Sequence, residues 1–75
     1  MEQAIAEQRL QERIQQALSS SPYLPGKRVF CRTDRGQVTL SGKVSTYFQK
    51  QMAQESVRRL DGVQGIENLL EVRWT

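Results

Sequence analysis

The chain has 75 residues, of which 37% are hydrophobic and 25% charged, with a formal net charge of +3, one cysteine and no histidine. At this length only about 60% of the unfolded surface can be buried, so residues 1–75 are read as one small domain without space for a second. The lone Cys31 excludes an intramolecular disulfide and, with no histidine beside it, leaves no zinc site, so neither a metal nor another cofactor is expected.

The charge is unevenly spread. From Lys27 to Lys50 there are six basic residues (Lys27, Arg28, Arg32, Arg35, Lys43 and Lys50) against Asp34 alone. Such a basic middle third admits contact with anionic lipid or nucleic acid, and equally a solvated surface. No apolar run approaches the ~20 residues that span a bilayer. The polar N-terminus lacks the apolar core of a secretory signal. As given, the chain is expected to stay where it is made, in the cytoplasm; cut from a longer exported protein, it would belong to the cell envelope.

Glu2 to about Ser19 are strong helix formers, with Leu10, Ile14, Ala17 and Leu18 forming one apolar stripe and Ala6 one turn earlier. The helix should stop at Ser19-Ser20-Ser21-Pro22, because serines compete for backbone hydrogen bonds and the residue before proline avoids the α region. Tyr23 and Leu24 then precede a Pro25-Gly26 turn and are expected to close one end of the core.

Residues 28–33 alternate as a strand, with Val29, Cys31 and Thr33 on one face and Arg28, Phe30 and Arg32 on the other. Asp34-Arg35-Gly36 predicts a three-residue hairpin loop, a type I turn ending in a left-handed glycine. Residues 37–44 form the second strand, with Val38, Leu40 and Val44 inward. Gly42 shares that inward face, which points to a bulge or to a helix crossing closely there.

Ser45 or Thr46 is placed to cap a second helix over residues 46–60, with Met52, Ala53, Ser56 and Leu60 inward, flanked by Phe48 and Val57. Asp61-Gly62 should end it. A last strand over residues 66–74 places Ile66, Asn68, Leu70, Val72 and Trp74 on one face and Glu67, Leu69, Glu71 and Arg73 on the other. A helix between two strands implies a crossover connection. The expected fold is therefore α+β, αββαβ, a three-stranded mixed sheet with two helices on one face.

The other face would be open to water. If the basic first strand neighboured the acidic third, Phe30 and Leu69 would be its only large apolar groups and would lie within touching distance. Arg28, Phe30, Arg32 and Leu69 are thus the candidate partner face.

The ordered set Val29-x-Cys31, Gly36-x-Val38-x-Leu40-x-Gly42-x-Val44 and Gly62-Val63-x-x-Ile66-x-Asn68-x-Leu70-x-Val72 resembles the BON domain, the family of bacterial osmotically inducible and nodulation proteins. The resemblance covers nearly the whole chain and implies the same αββαβ fold. It also implies a non-enzymatic module that binds phospholipid surfaces or tethers proteins to the bacterial envelope. The matching motif residues, Gly36, Val38, Leu40, Gly42, Val44, Gly62, Val63, Ile66, Asn68, Leu70 and Val72, are expected to serve the scaffold.

Rival motifs do not fit. Ser41-Gly42-Lys43 resembles the end of a phosphate-binding loop, but Gly36 is one position too far away and Val44 stands where Ser or Thr is required. Gly62-Val63-Gln64-Gly65 has the spacing of a nucleic-acid clamp but no basic residue between its glycines. The carboxylates are dispersed, so acid–base catalysis is not expected. Three binding readings remain. Anionic phospholipid would be met by Lys43 and Lys50, with Tyr47 and Phe48 as interfacial anchors, although Phe48 can equally cap the core. A protein partner or a second copy would use the open sheet face. Nucleic acid would meet the basic hairpin, against which Glu67 and Glu71 argue.

Overall fold

The computed structural model describes residues 2–24 and 29–73, with side chains from residue 5 onward. Arg28 and Trp74, expected at the ends of two strands, lie outside the described residues, as do Lys27 and the Pro25-Gly26 turn. The elements are α1 (Glu2–Ser20), β1 (Val29–Asp34), β2 (Gln37–Val44), α2 (Tyr47–Arg58), β3 (Gly65–Asn68) and β4 (Glu71–Val72). The fold is α+β, with both helices on one face of an open mixed sheet.

Leu10, Ile14 and Leu18 of α1 are buried as the stripe requires, whereas Ala6 is exposed because that end of the helix extends past the apolar core. The serines do end the helix: the Ser21 and Leu24 amides donate to the Leu18 and Ser21 carbonyls at 3.3 Å each. The helix is also tied to β1 by a polar seam. Gln15 Nε2 donates to the Val29 carbonyl, Cys31 Sγ to the Gln11 carbonyl and Thr33 Oγ1 to the Glu7 carbonyl. Helix residues fall by four as strand residues rise by two, because four helical residues advance about 6.0 Å and two strand residues about 6.6 Å. Glu7 Oε1 closes the seam, accepting from the Arg35 amide at 2.8 Å.

The hairpin differs from expectation. Asp34 pairs with Gln37, leaving a two-residue turn in which Arg35 has φ 53° and Gly36 φ 85°. Two successive positive φ values make a type I′ turn, whose twist matches the strands it joins. Gly36 has a second reason to be glycine: a Cβ there would stand 2.9 Å from the Gly62 carbonyl oxygen. The same residue's carbonyl accepts from the Gln64 amide at 2.8 Å, docking the α2–β3 turn onto the hairpin.

Thr46, not Ser45, is the N-cap of α2. Its hydroxyl accepts from the Gln49 amide at 3.1 Å, while Gln49 Oε1 accepts from the Ser45 amide at 2.7 Å. This is a reciprocal box displaced outward by one residue. Ala53 and Val57 are the fully buried residues of the helix, and Met52, Ser56 and Leu60 are only partly buried. The helix stops at Arg58, earlier than expected, and the chain turns through Gly62 at φ 97°.

β2 is the central strand, antiparallel to β1 and parallel to β3 and β4. The expected third strand is broken in two, although its register is not. Leu40 pairs with Asn68 and Lys43 with Glu71, the same offset on either side of the break. Two local features mark the break. Gly42 has φ 123°, so it is the backbone conformation that favours glycine there. Opposite, the Leu69 and Arg73 amides still donate to the Leu40 and Val44 carbonyls, so the Leu70 amide points away from β2, where Asn68 Oδ1 accepts it at 3.2 Å. The core lies between the layers: Leu10, Ile14, Leu18, Leu24, Val29, Val38, Leu40, Val44, Ala53, Val57 and Leu70.

Candidate functional site

Two surfaces gather the exposed apolar residues other than Ile5. The first is the end of the domain where α1 stops and α2 begins. Tyr47 and Phe48 occupy the first two positions of α2 and are 77% and 53% exposed. Phe48 does not join the buried core; its ring meets Tyr23 edge-on, with centroids 5.3 Å apart and planes at 83°. Such an edge-to-face pair fixes two half-exposed rings in one orientation. Tyr23, expected only to close the core, is thus part of this tip, while Leu24 beside it is buried. The Tyr23–Phe48 contact spans two elements and leaves no periodic trace in the sequence.

Lys50 borders Tyr47, while Lys43 stands on the open sheet face toward the same end of the domain. Lys43 is exposed near the end of β2, and Lys50, half-buried, shares a shallow depression with Tyr47, Gln51, Gln54, Glu55 and Asn68. Glu55 is held by Arg58 at 3.0 Å, and among the described residues neither lysine is in an ion pair. The first turn of α2 carries no acidic residue, so the positive end of the helix dipole is unopposed there.

The second surface is the open sheet face. Phe30 and Leu69 both lie on it, 57% and 53% exposed, but not as neighbours. β2 separates β1 from β3 and β4, so the basic first strand does not pair with the acidic third. Phe30 is opposite Ser41, and the constant offset of the two parallel ladders puts Leu69 opposite Ser41 on its other side. The two side chains therefore flank Ser41 at two strand spacings, roughly 10 Å. The adjoining row runs Arg32, Thr39, Glu67. On the far side of the apolar row Lys43 faces Glu71, which also meets Arg73 at 3.7 Å. The face is mixed in charge rather than basic.

Among the motif residues, Val38, Leu40, Val44 and Leu70 are buried in the core, with Val63, Ile66 and Val72 packed against it. Gly36, Gly42 and Gly62 have positive φ. Asn68 clips the β3–β4 break to α2, its Nδ2 donating to the Lys50 carbonyl at 3.0 Å and to Gln54 Oε1 at 3.2 Å. Among the described residues no cluster of metal-ligating side chains is formed, and no helix is long and apolar enough to cross a membrane. Cys31 is half-buried, and burial raises its thiol above the ordinary value. At the hairpin end of β2, away from the aromatic tip, a second groove is bordered by Ile5, Arg9, Arg13, Arg35 and Asp61, which the sequence did not single out.

The family model described as BON domain matches residues 6–73. No curated protein matches the chain.

Proposed function

The chain belongs to the BON-domain family, whose members are known as phospholipid-binding modules, and from that premise we propose that it is a non-catalytic module that docks on anionic phospholipid surfaces through the tip at the start of α2. The observation that carries this reading is the exposure of Tyr23, Tyr47 and Phe48 at one end of the domain, with Lys50 beside Tyr47 and Lys43 on the adjoining end of the sheet, neither in an ion pair among the described residues. Aromatic rings with a polar edge favour the headgroup level of a bilayer, where one end is apolar and the other wet. Lys43 and Lys50 add about 1 kcal/mol each near a negatively charged surface. The sum is a weak, salt-sensitive attachment suited to a module acting in several copies or beside a second anchor.

Co-sedimentation with vesicles of neutral and of anionic phospholipid, at low and at physiological salt, tests the proposal. The expected result is binding to anionic vesicles only, weakened by salt and by charge reversal in Lys43→Glu and Lys50→Glu. A domain that stays in solution with every lipid at low salt overturns it.

A further inference from the structure

The open sheet face is self-complementary, and we propose that it is the contact surface of a homodimer whose two-fold axis runs along β2. A rotation of 180° about that line exchanges the two sides of the sheet while leaving each row at its own height. Arg32, on one side of Thr39, then faces Glu67 of a second copy, and Glu67 faces the second copy's Arg32, because both residues stand in the Thr39 row. Phe30 faces Leu69 of the second copy by the same operation, since both stand in the Ser41 row. On the axis the two Lys43 side chains meet, with Glu71 of one copy on one side and Glu71 of the other opposite.

The alternative in-plane axis, across the strands, places Glu67 against Glu71 of the second copy and repels. The axis along β2 pairs Arg32 with Glu67 on both sides and Phe30 with Leu69, and sets its one like-charge contact, Lys43 against Lys43, between two Glu71 carboxylates, a closed isologous arrangement. The sheet itself limits the affinity. Three strands about 4.8 Å apart and a central strand of eight residues at about 3.3 Å each give a footprint of roughly 380 Å² per copy, below the ~800 Å² per partner of stable complexes. The dimer is therefore weak and concentration-dependent. It goes beyond the lipid reading and does not depend on it; Lys43 alone is common to the two, and the dimer would cover it.

Sedimentation velocity of the whole chain, from about 10 µM to about 1 mM, spans the affinity expected of so small an interface. The wild type should dimerise reversibly over this range. Arg32→Glu and Glu67→Arg, both at exposed positions and each checked for an unchanged circular dichroism spectrum, should each weaken association about tenfold or more. An equimolar mixture of the two variants should recover it, because both Arg–Glu contacts reform in the mixed dimer. A wild type that remains monomeric throughout overturns the proposal and leaves the face to a different protein partner. A wild type that dimerises while the mixed variants fail to recover overturns the placement of the axis.

Discussion

Asn68 holds the end of β3 against α2: its side-chain amide donates to the Lys50 carbonyl at 3.0 Å while its Oδ1 accepts from the Leu70 amide at 3.2 Å. One side chain thus satisfies a backbone acceptor on the helix and a backbone donor at the strand break. It also fixes the position of the first turn of α2, and with it the exposed tip.

Replacing Asn68 with alanine leaves the Lys50 carbonyl and the Leu70 amide without these partners, and a loss of about 1–3 kcal/mol of stability is expected. Asn68→Asp keeps the acceptor for Leu70 but turns a carboxylate toward the Lys50 carbonyl, so at neutral pH it should be at least as damaging. Urea unfolding of both variants provides the comparison; an aspartate variant as stable as the wild type would remove the clip to α2 from the account.

Gly36 and Gly62 both have positive φ, yet their surroundings differ. A Cβ at Gly36 would stand 2.9 Å from the Gly62 carbonyl oxygen, backbone that cannot swing away, while one at Gly62 would meet only Leu10 at 3.7 Å. Both alanine variants incur the left-handed penalty of about 1–2 kcal/mol. Gly36→Ala should lose clearly more than that, and thermal melts of the pair should rank them in that order.

Tyr47 and Phe48 separate binding from stability. Tyr47 is largely exposed, so Tyr47→Ser should leave the unfolding midpoint within the scatter of surface substitutions, about 0.5 kcal/mol, while lowering vesicle binding. Phe48→Ser also removes the edge-on contact with Tyr23, worth about 0.5–1.5 kcal/mol, and should lower both. Equal vesicle binding by wild type and Tyr47→Ser would take the ring out of the membrane contact.

Cys31 should react slowly. Burial raises its thiol, and Sγ, about 3.8 Å from the Gln11 carbonyl and 3.5 Å from Gln15 Oε1, donates only when protonated. Alkylation by iodoacetamide near pH 8 should lag behind a free thiol and accelerate at higher pH. The sign for stability follows: the unfolded chain loses its thiol proton first, so stability falls as pH rises through the ordinary thiol range and levels off above the raised folded value. Alkylation as fast as in the unfolded chain would contradict the burial.

Periodicity determined the two helices, the two hairpin strands and the inward residues of α1 from Leu10 onward and of β2, because burial repeats every 3.6 residues in a helix and every two in a strand, while in α2 it placed Ala53 but set Val57 at the flank. The order of motif residues was enough to identify the family, and Tyr47, Phe48, Lys43 and Lys50 were legible as candidate contacts from their types and positions. Three matters required the tertiary structure. The central place of β2 puts Ser41 between Phe30 and Leu69, and strand order depends on pairings that no local pattern records. The seam of Glu7, Gln11 and Gln15 looks in sequence like a wet helix face; it becomes a set of bonds only because helix and strand advance in step. Tyr23 joins Phe48 at the tip because two chain ends of different elements meet there, a contact between segments far apart in sequence whose geometry is set by the packing of α1 and α2 on one sheet.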